Sequence, residues 1–298
     1  MKSDIKMWSF QEIAFQAELN RHEEPDSAED AFLLCSEDPD TRQRNIEELR
    51  SIIKERGECQ PQRMDDAYLL RFLRARQSIP ARAHRLLVRY CEFKEQNPHL
   101  WRDIEWFSLT RLGNIYEGVL YDRPDVGRLI VLRMGQWDPD VIPVIDLIRG
   151  CLLLLEIGIM QPKLQILGGT ALIDCEGLSL KQVRQFSPSI AMLIMAVLGH
   201  AFPLHQRGVH VINCSRLMET LFPFFKRLAP NDDLWKKLYI HGYDLSSLRR
   251  HIDPECLPRR YGGYRDSVSL ELWLTKIRQY RDKDFDREMR NIGYAVKC

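Results

Sequence analysis

The spacing of apolar positions changes character near residue 115. Before it, apolar residues recur every three or four positions, the period of helices with one buried face. In "DPDTRQRNIEELRSIIKERGE", Ile46, Leu49, Ile52 and Ile53 share a face, and Gly57 ends the run. "DDAYLLRFLRAR" follows, with Leu69, Leu70, Phe72 and Leu73 inward and Arg71, Arg74 and Arg76 at the edge. Pro80 opens a third helix, "PARAHRLLVRYCEFKEQNP", and Pro98 stops it. Residues 22–40 hold eight acids and no Lys or Arg. They read as a mobile acidic link between a short first helix and this bundle.

After residue 115 short, nearly continuous apolar runs take over: "GRLIVLRM" (127–134), "TALIDCEG" (170–177), "GVHVINC" (208–214) and "KKLYIHG" (236–242). Such strands are buried on both faces, as in a parallel sheet covered by helices. Helical runs at 141–161, 187–200 and 216–228 separate them, and a charged helix at 267–290 lies across the surface. The alternation predicts an α/β lobe after a helical lobe.

Composition narrows the class. The chain has 298 residues, 45% hydrophobic and 29% charged, with a net charge of +1. That fits a globular protein and excludes a general polyanion binder such as a nucleic-acid protein. Any electrostatic targeting must come from a local patch. The eight cysteines form no C-x-x-C pair and mostly sit in apolar runs, as buried thiols do in a reducing compartment. The N-terminus has no secretory signal, and charges interrupt the most apolar segment, 141–160. A cytoplasmic protein is expected.

Motifs for catalysis are missing. There is no G-x-S-x-G, G-x-G-x-x-G, P-loop or H-E-x-x-H. Gly168-Gly169 precedes a strand, whereas a phosphate cradle follows one. His200, His205 and His210 cannot share one helical face, so no metal site is expected. Asp174 and Glu176 are the only candidate acids at a strand end, and a carboxylate satisfying loop backbone explains them more simply.

What the chain has in excess is apolar surface. "SPSIAMLIMAVLGH" is apolar on nearly every side, so protein or ligand must cover it all round. "SRLMETLFPFFKRLAP" packs Leu217, Leu221, Phe222, Phe224, Phe225 and Leu228 into a dozen residues beside Lys226 and Arg227. Spacing alone fits a core helix and a movable, membrane-touching cover equally well.

The order of these segments resembles the CRAL-TRIO family of lipid-binding proteins. "DDAYLLRFLRAR" is similar to the start of its helical lobe, and "VLGHAFPLHQRGVHVINC" to its helix-to-strand turn. "HGYDLSSLRRHIDPECLPRRYGG" resembles its closing signature. The likeness spans about residues 40–275. It is strongest to the subgroup of α-tocopherol transfer protein and cellular retinaldehyde-binding protein. It implies an N-terminal extension (1–40), a helical lobe (41–110), a lipid-binding lobe (111–265) with a mostly parallel sheet floor, and a C-terminal helix (266–298).

By the same resemblance the cavity is lined by Ile148, Cys151, Leu155, Ile173, Phe186, Ile194, Val197, Leu198, Leu204, Gln206 and Val209. The segment 217–228 is the amphipathic gate. Arg71, Arg74, Arg207, Lys226, Arg227, Lys236 and Lys237 face an anionic lipid headgroup, including phosphoinositide. The chain departs from the tocopherol carrier in having Cys151 and Leu155 where two serines help hold that ligand's hydroxyl. His205 and Asp233 stand where that carrier has headgroup lysines. Arg260 takes the place of the acid that usually precedes the signature tyrosine, and should find a different carboxylate or join the basic surface.

The expectation is a monomeric, non-enzymatic carrier of one retinoid, tocol, carotenoid or sterol-like molecule, exchanged at membranes and needing no cofactor or metal. A phosphoinositide-sensing membrane adaptor without cargo is the alternative. An α/β enzyme using Asp174 and Glu176 is the third.

Overall fold

The computed structural model describes residues 10–214, 223, 226–227 and 233–297. The first hundred residues fold as five helices: α1 (Phe10–Ala17), α2 (Ser27–Cys35), α3 (Pro39–Arg56), α4 (Asp66–Arg74) and α5 (Pro80–Gln96). Their ends follow local chemistry. The Asp38 carboxylate accepts from the Asp40 amide and Pro39 occupies the first turn of α3, while Gly57 closes that helix at φ 60°. The Asp65 side chain accepts from the Tyr68 amide to start α4.

The acidic stretch 22–40 is not a mobile link. It contains α2, whose Ala31 and Cys35 pack against Ile166 and Leu167. Its acids have partners: Arg74 is held by Glu37 and Glu23.

The second half builds a six-stranded sheet in the order β5-β4-β3-β2-β1-β6. The strands are β1 (Tyr116–Arg123), β2 (Gly127–Arg133), β3 (Gly169–Asp174), β4 (Gln206–Ile212), β5 (Leu238–Gly242) and β6 (Val268–Ser269). β2 through β5 run parallel, and β1 is antiparallel to both β2 and β6. Helices α6 (Val144–Gly158), α7 (Pro162–Leu167), α8 (Leu180–Val183) and α9 (Pro188–Met195) fill the connections. The run 187–200 is not one regular helix, because α9 gives way to a π turn at 196–200.

Gly168 sits at φ 74° where two strands begin, and a Cβ there would lie 2.0 Å from the His205 carbonyl oxygen. The glycine pair therefore serves strand packing, with the Gly169 amide donating to that same carbonyl.

The closing stretch 241–263 carries α10 (Leu245–His251) and covers one face of the sheet. Leu248, Ile252, Cys256, Leu257 and Tyr261 pack there against Leu129, Val131, Leu172 and Ile212. The expected single C-terminal helix is two: α11 (Leu270–Tyr280) and α12 (Lys283–Ile292), capped at Asp282. They do not merely cross the surface. Trp273, Leu274, Ile277, Phe285 and Met289 are buried in the core cluster shared with α3–α6.

Candidate functional site

Strand alternation gives the sheet two unlike faces. Ile130 and Leu132 of β2, Ala171 and Ile173 of β3, Val209 and Val211 of β4, and Leu238 of β5 all line one cavity of about 250 Å³. The helix α6 closes it from above with Ile148, Cys151 and Leu155, spaced three and four residues apart on one stripe. Beside that stripe α6 carries Glu156, which accepts from the Tyr90 hydroxyl (2.9 Å) and the Trp101 indole (3.1 Å). Burial raises the Glu156 pKa despite those bonds and nearby Lys94.

Every cavity residue expected from the sequence lies on this wall: Ile148, Cys151, Leu155, Ile173, Phe186, Ile194, Val197, Leu198, Leu204, Gln206 and Val209. Sequence reasoning missed Tyr116, Thr170, Phe202, Trp235 and Leu238. The strand period could have found Leu238, since it pairs with Val209 across the β4–β5 ladder.

The wall's polar groups are largely spoken for. The Tyr116 hydroxyl donates to the Leu147 carbonyl (2.7 Å), and the Thr170 hydroxyl to the Val126 carbonyl (2.6 Å). Burial pushes the Cys151 thiol up to about 12, so it stays protonated. Cys151 and Gln206 are further polar side chains on this wall.

Asp174 is a structural group. It is 2% exposed. Its carboxylate accepts from the Tyr261 hydroxyl (2.8 Å), the Asn213 amide (2.8 Å) and the Glu176 backbone N–H (3.0 Å). Glu176 points to solvent. The two form no convergent acid–base pair. Arg260 pairs with Glu117 (3.3 Å), which also accepts from Arg133 and Ser267.

The basic patch differs from the expected one in membership. Arg71 and Arg74 do not belong to it, because both are buried. Arg74 gives its donors to Glu37, Glu23 and Gln165. Arg71 lies over the Tyr68 ring and beside Glu288. Buried cations with such partners cannot serve a headgroup in solvent. Arg207, Lys237 and Arg76 lie close enough to act electrostatically on His205. Burial first, then these three charges, depress the His205 pKa to about 4. Arg207 donates to the Leu167 carbonyl (2.8 Å), and one of its terminal nitrogens is buried with no hydrogen-bond partner among the described residues. Lys226, Arg227 and Lys236 are exposed. The expected gate residues Leu217, Leu221, Phe222, Phe224, Phe225 and Leu228 lie outside the described residues, as does the side chain of Asp233.

Comparison with known proteins decides the family. Residues 119–263, which run from within β1 through β5 and the closing stretch, match the model of the CRAL/TRIO domain. Clavesin-1 of Xenopus laevis is 33% identical over 85% of this chain and 77% of its own length. Clavesin-2 of Homo sapiens is 32% identical over 91% of this chain and 84% of its own. The chain belongs to the CRAL/TRIO family. A crystal structure of Sfh5 aligns with 76% of this chain and 88% of its own, at 14% identity and a TM-score of 0.44. Among the described residues no helix is long and apolar enough to cross a membrane, and no group of three or more His, Cys, Asp or Glu could hold a metal ion.

Proposed function

We propose that this CRAL/TRIO protein carries one hydrophobic small molecule, a retinoid, tocol, carotenoid or sterol-like lipid, and exchanges it at membranes. The observation that carries this reading is the apolar cavity on one sheet face. Its volume of about 250 Å³ is close to the lower end of small-molecule sites, about 300–1,000 Å³. A core that only stabilised the fold would be filled. Burial against these walls supplies affinity at about 25 cal/mol per Å², and Cys151 and Gln206 supply orientation.

Arg76, Arg207 and Lys237 support recognition of an anionic headgroup, phosphoinositide included. Clustered cations at one site suit a multivalent phosphate. In this reading the 217–228 segment opens toward the bilayer, and Lys226 and Arg227 assist.

The test is native mass spectrometry with an absorption spectrum on protein purified from its own source. One bound apolar molecule per chain is expected, with a visible or near-ultraviolet band if the cargo is a retinoid or carotenoid. Uniformly empty protein rejects the carrier. The basic patch favours one second reading, a phosphoinositide-sensing adaptor. It gains if Arg207→Ala and Lys237→Ala abolish vesicle binding in a protein that never holds cargo.

A further inference from the structure

The sheet face away from the cavity holds a feature that the carrier reading does not use. On β4 and β5, Val209, Val211 and Leu238 face the cavity, while His210 and Tyr239 face the other way, beneath α10. His210 is 4% exposed and His241 7%. Their rings are nearly parallel, 5.2 Å apart, with His210 Nδ1 2.9 Å from His241 Nε2. The other nitrogen of His241 lies 2.9 Å from the Ser247 hydroxyl on α10. Tyr239 stacks on His210 at 4.8 Å. The exposed ring of His251, at the end of α10, lies 4.5 Å from Tyr239 and 5.7 Å from His210.

We propose that the His210–His241 stack is an acid-sensitive latch: protonation undocks α10 from β4 and β5 and speeds release of cargo through the loosened cavity floor. The release step rests on the carrier reading; the undocking does not.

In the neutral pair one N–H bridges the two rings and a second proton lies between His241 and Ser247. Two added protons would place parallel imidazolium rings together in a buried site. The charges around the stack oppose them. On α10 these are His251 and Arg250, and among the described residues only Asp244, at the cap of α10, favours charge on His241. Asp244 is itself shared with Arg250 at 3.8 Å. From β3 the facing residue is Leu172, which carries no charge. Burial, then His241 and His251, hold the His210 pKa at about 4. Burial first also depresses His241.

Once undocked, His210 would titrate near the ordinary value of about 6.5. Docking is therefore unaffected above that pH and opposed progressively below it, levelling off beneath about 4. In that window opening grows about tenfold per pH unit for one histidine, or roughly 30-fold at pH 5.

Hydrogen-exchange mass spectrometry on the full chain at pH 7.5 and 5.0, corrected for intrinsic rates, reads the latch directly. Protection of α10 and β5 should fall at least tenfold relative to α11, and His210→Asn should remove most of that fall. His251→Gln, at an exposed position, should shrink it measurably and keeps the test decisive if His210→Asn does not fold. Release of a nitrobenzoxadiazole-labelled fatty alcohol should accelerate over the same pH range. Uniform loosening of the whole molecule, no loss at α10, or the wild-type response in both variants overturns the latch. So does probe release that ignores the exchange change. A probe that never binds counts against the carrier reading, while the exchange data still decide the undocking.

Discussion

The two faces of the sheet are built from the same strands and differ in how completely they are filled. On the closed face, Leu129, Val131, Leu172 and Ile212 pack in one buried cluster with Leu248, Ile252, Leu257 and Tyr261 of the closing stretch. On the open face, Ile130, Ala171, Ile173 and Val209 look into a cavity. Neighbouring residues such as Ala171 and Leu172 therefore do opposite work. One keeps space available, and the other removes apolar surface from water. Stability should reside on the closed face and binding on the open one.

The closing stretch makes the difference. Its Tyr261 hydroxyl reaches across to Asp174, which also fixes Asn213 and the turn after β3. At Gly263 a Cβ would lie 2.1 Å from the Leu257 carbonyl oxygen, so this corner closes only with glycine. Arg260, where an acid was expected, pairs with Glu117 on β1 and so ties the stretch to the antiparallel edge.

Breaking the closed face should give the largest effect. Asp174→Ala removes the acceptor of three donors, the buried Tyr261 hydroxyl and the partly buried Asn213 amide and Glu176 N–H, with about 1–3 kcal/mol for the buried one and less for the other two. Denaturant unfolding should show a loss of about 3 kcal/mol, and Tyr261→Phe a loss of about 1 kcal/mol. Next comes the neighbour test. Leu172→Ala should cost about 2–5 kcal/mol. Ile173→Ala should cost clearly less, because its side chain already borders a void. Equal losses would erase the distinction between the faces.

The same contrast runs along α6. Glu156→Gln keeps an acceptor for Tyr90 and Trp101 and relieves a buried carboxylate, so unfolding should shift by less than about 1 kcal/mol. Glu156→Leu strands both donors and should cost about 2 kcal/mol or more. The smallest effect concerns the patch. Arg76→Gln should weaken binding to anionic vesicles a few-fold at low salt, and the difference should vanish at high ionic strength. Acidification adds a sign test. His205 has a folded pKa of about 4, below its unfolded value, so its contribution to stability is complete above about pH 6.5. That contribution falls as pH drops toward 4. His205→Gln should flatten the thermal midpoint across that window.

The parts of this architecture that depend on neighbours in sequence were legible from it. The parallel strands announce themselves as apolar runs, and the cavity residues follow from family motifs carried on those runs. β1 escaped because Glu117, Asp122 and Arg123 interrupt it, and β6 because two residues show no period. Long-range ion pairs were invisible. Arg74 looked like a surface cation and residues 22–40 like a solvated link, yet they satisfy each other through Glu23 and Glu37. Likewise Glu18, at the end of the first helix, binds Arg128 and the Trp273 indole. That contact docks both termini on the sheet, and neither partner's spacing reveals the other.

An open face that holds a guest must lose it when the cavity is filled. Native mass spectrometry of wild type and Ala171→Trp, expressed side by side, tests this most directly. One apolar molecule is expected on the wild type and none on the variant, with both folded and unfolding within about 1 kcal/mol of each other. Equal cargo on the two proteins, or a variant destabilised as severely as Leu172→Ala, would contradict that expectation.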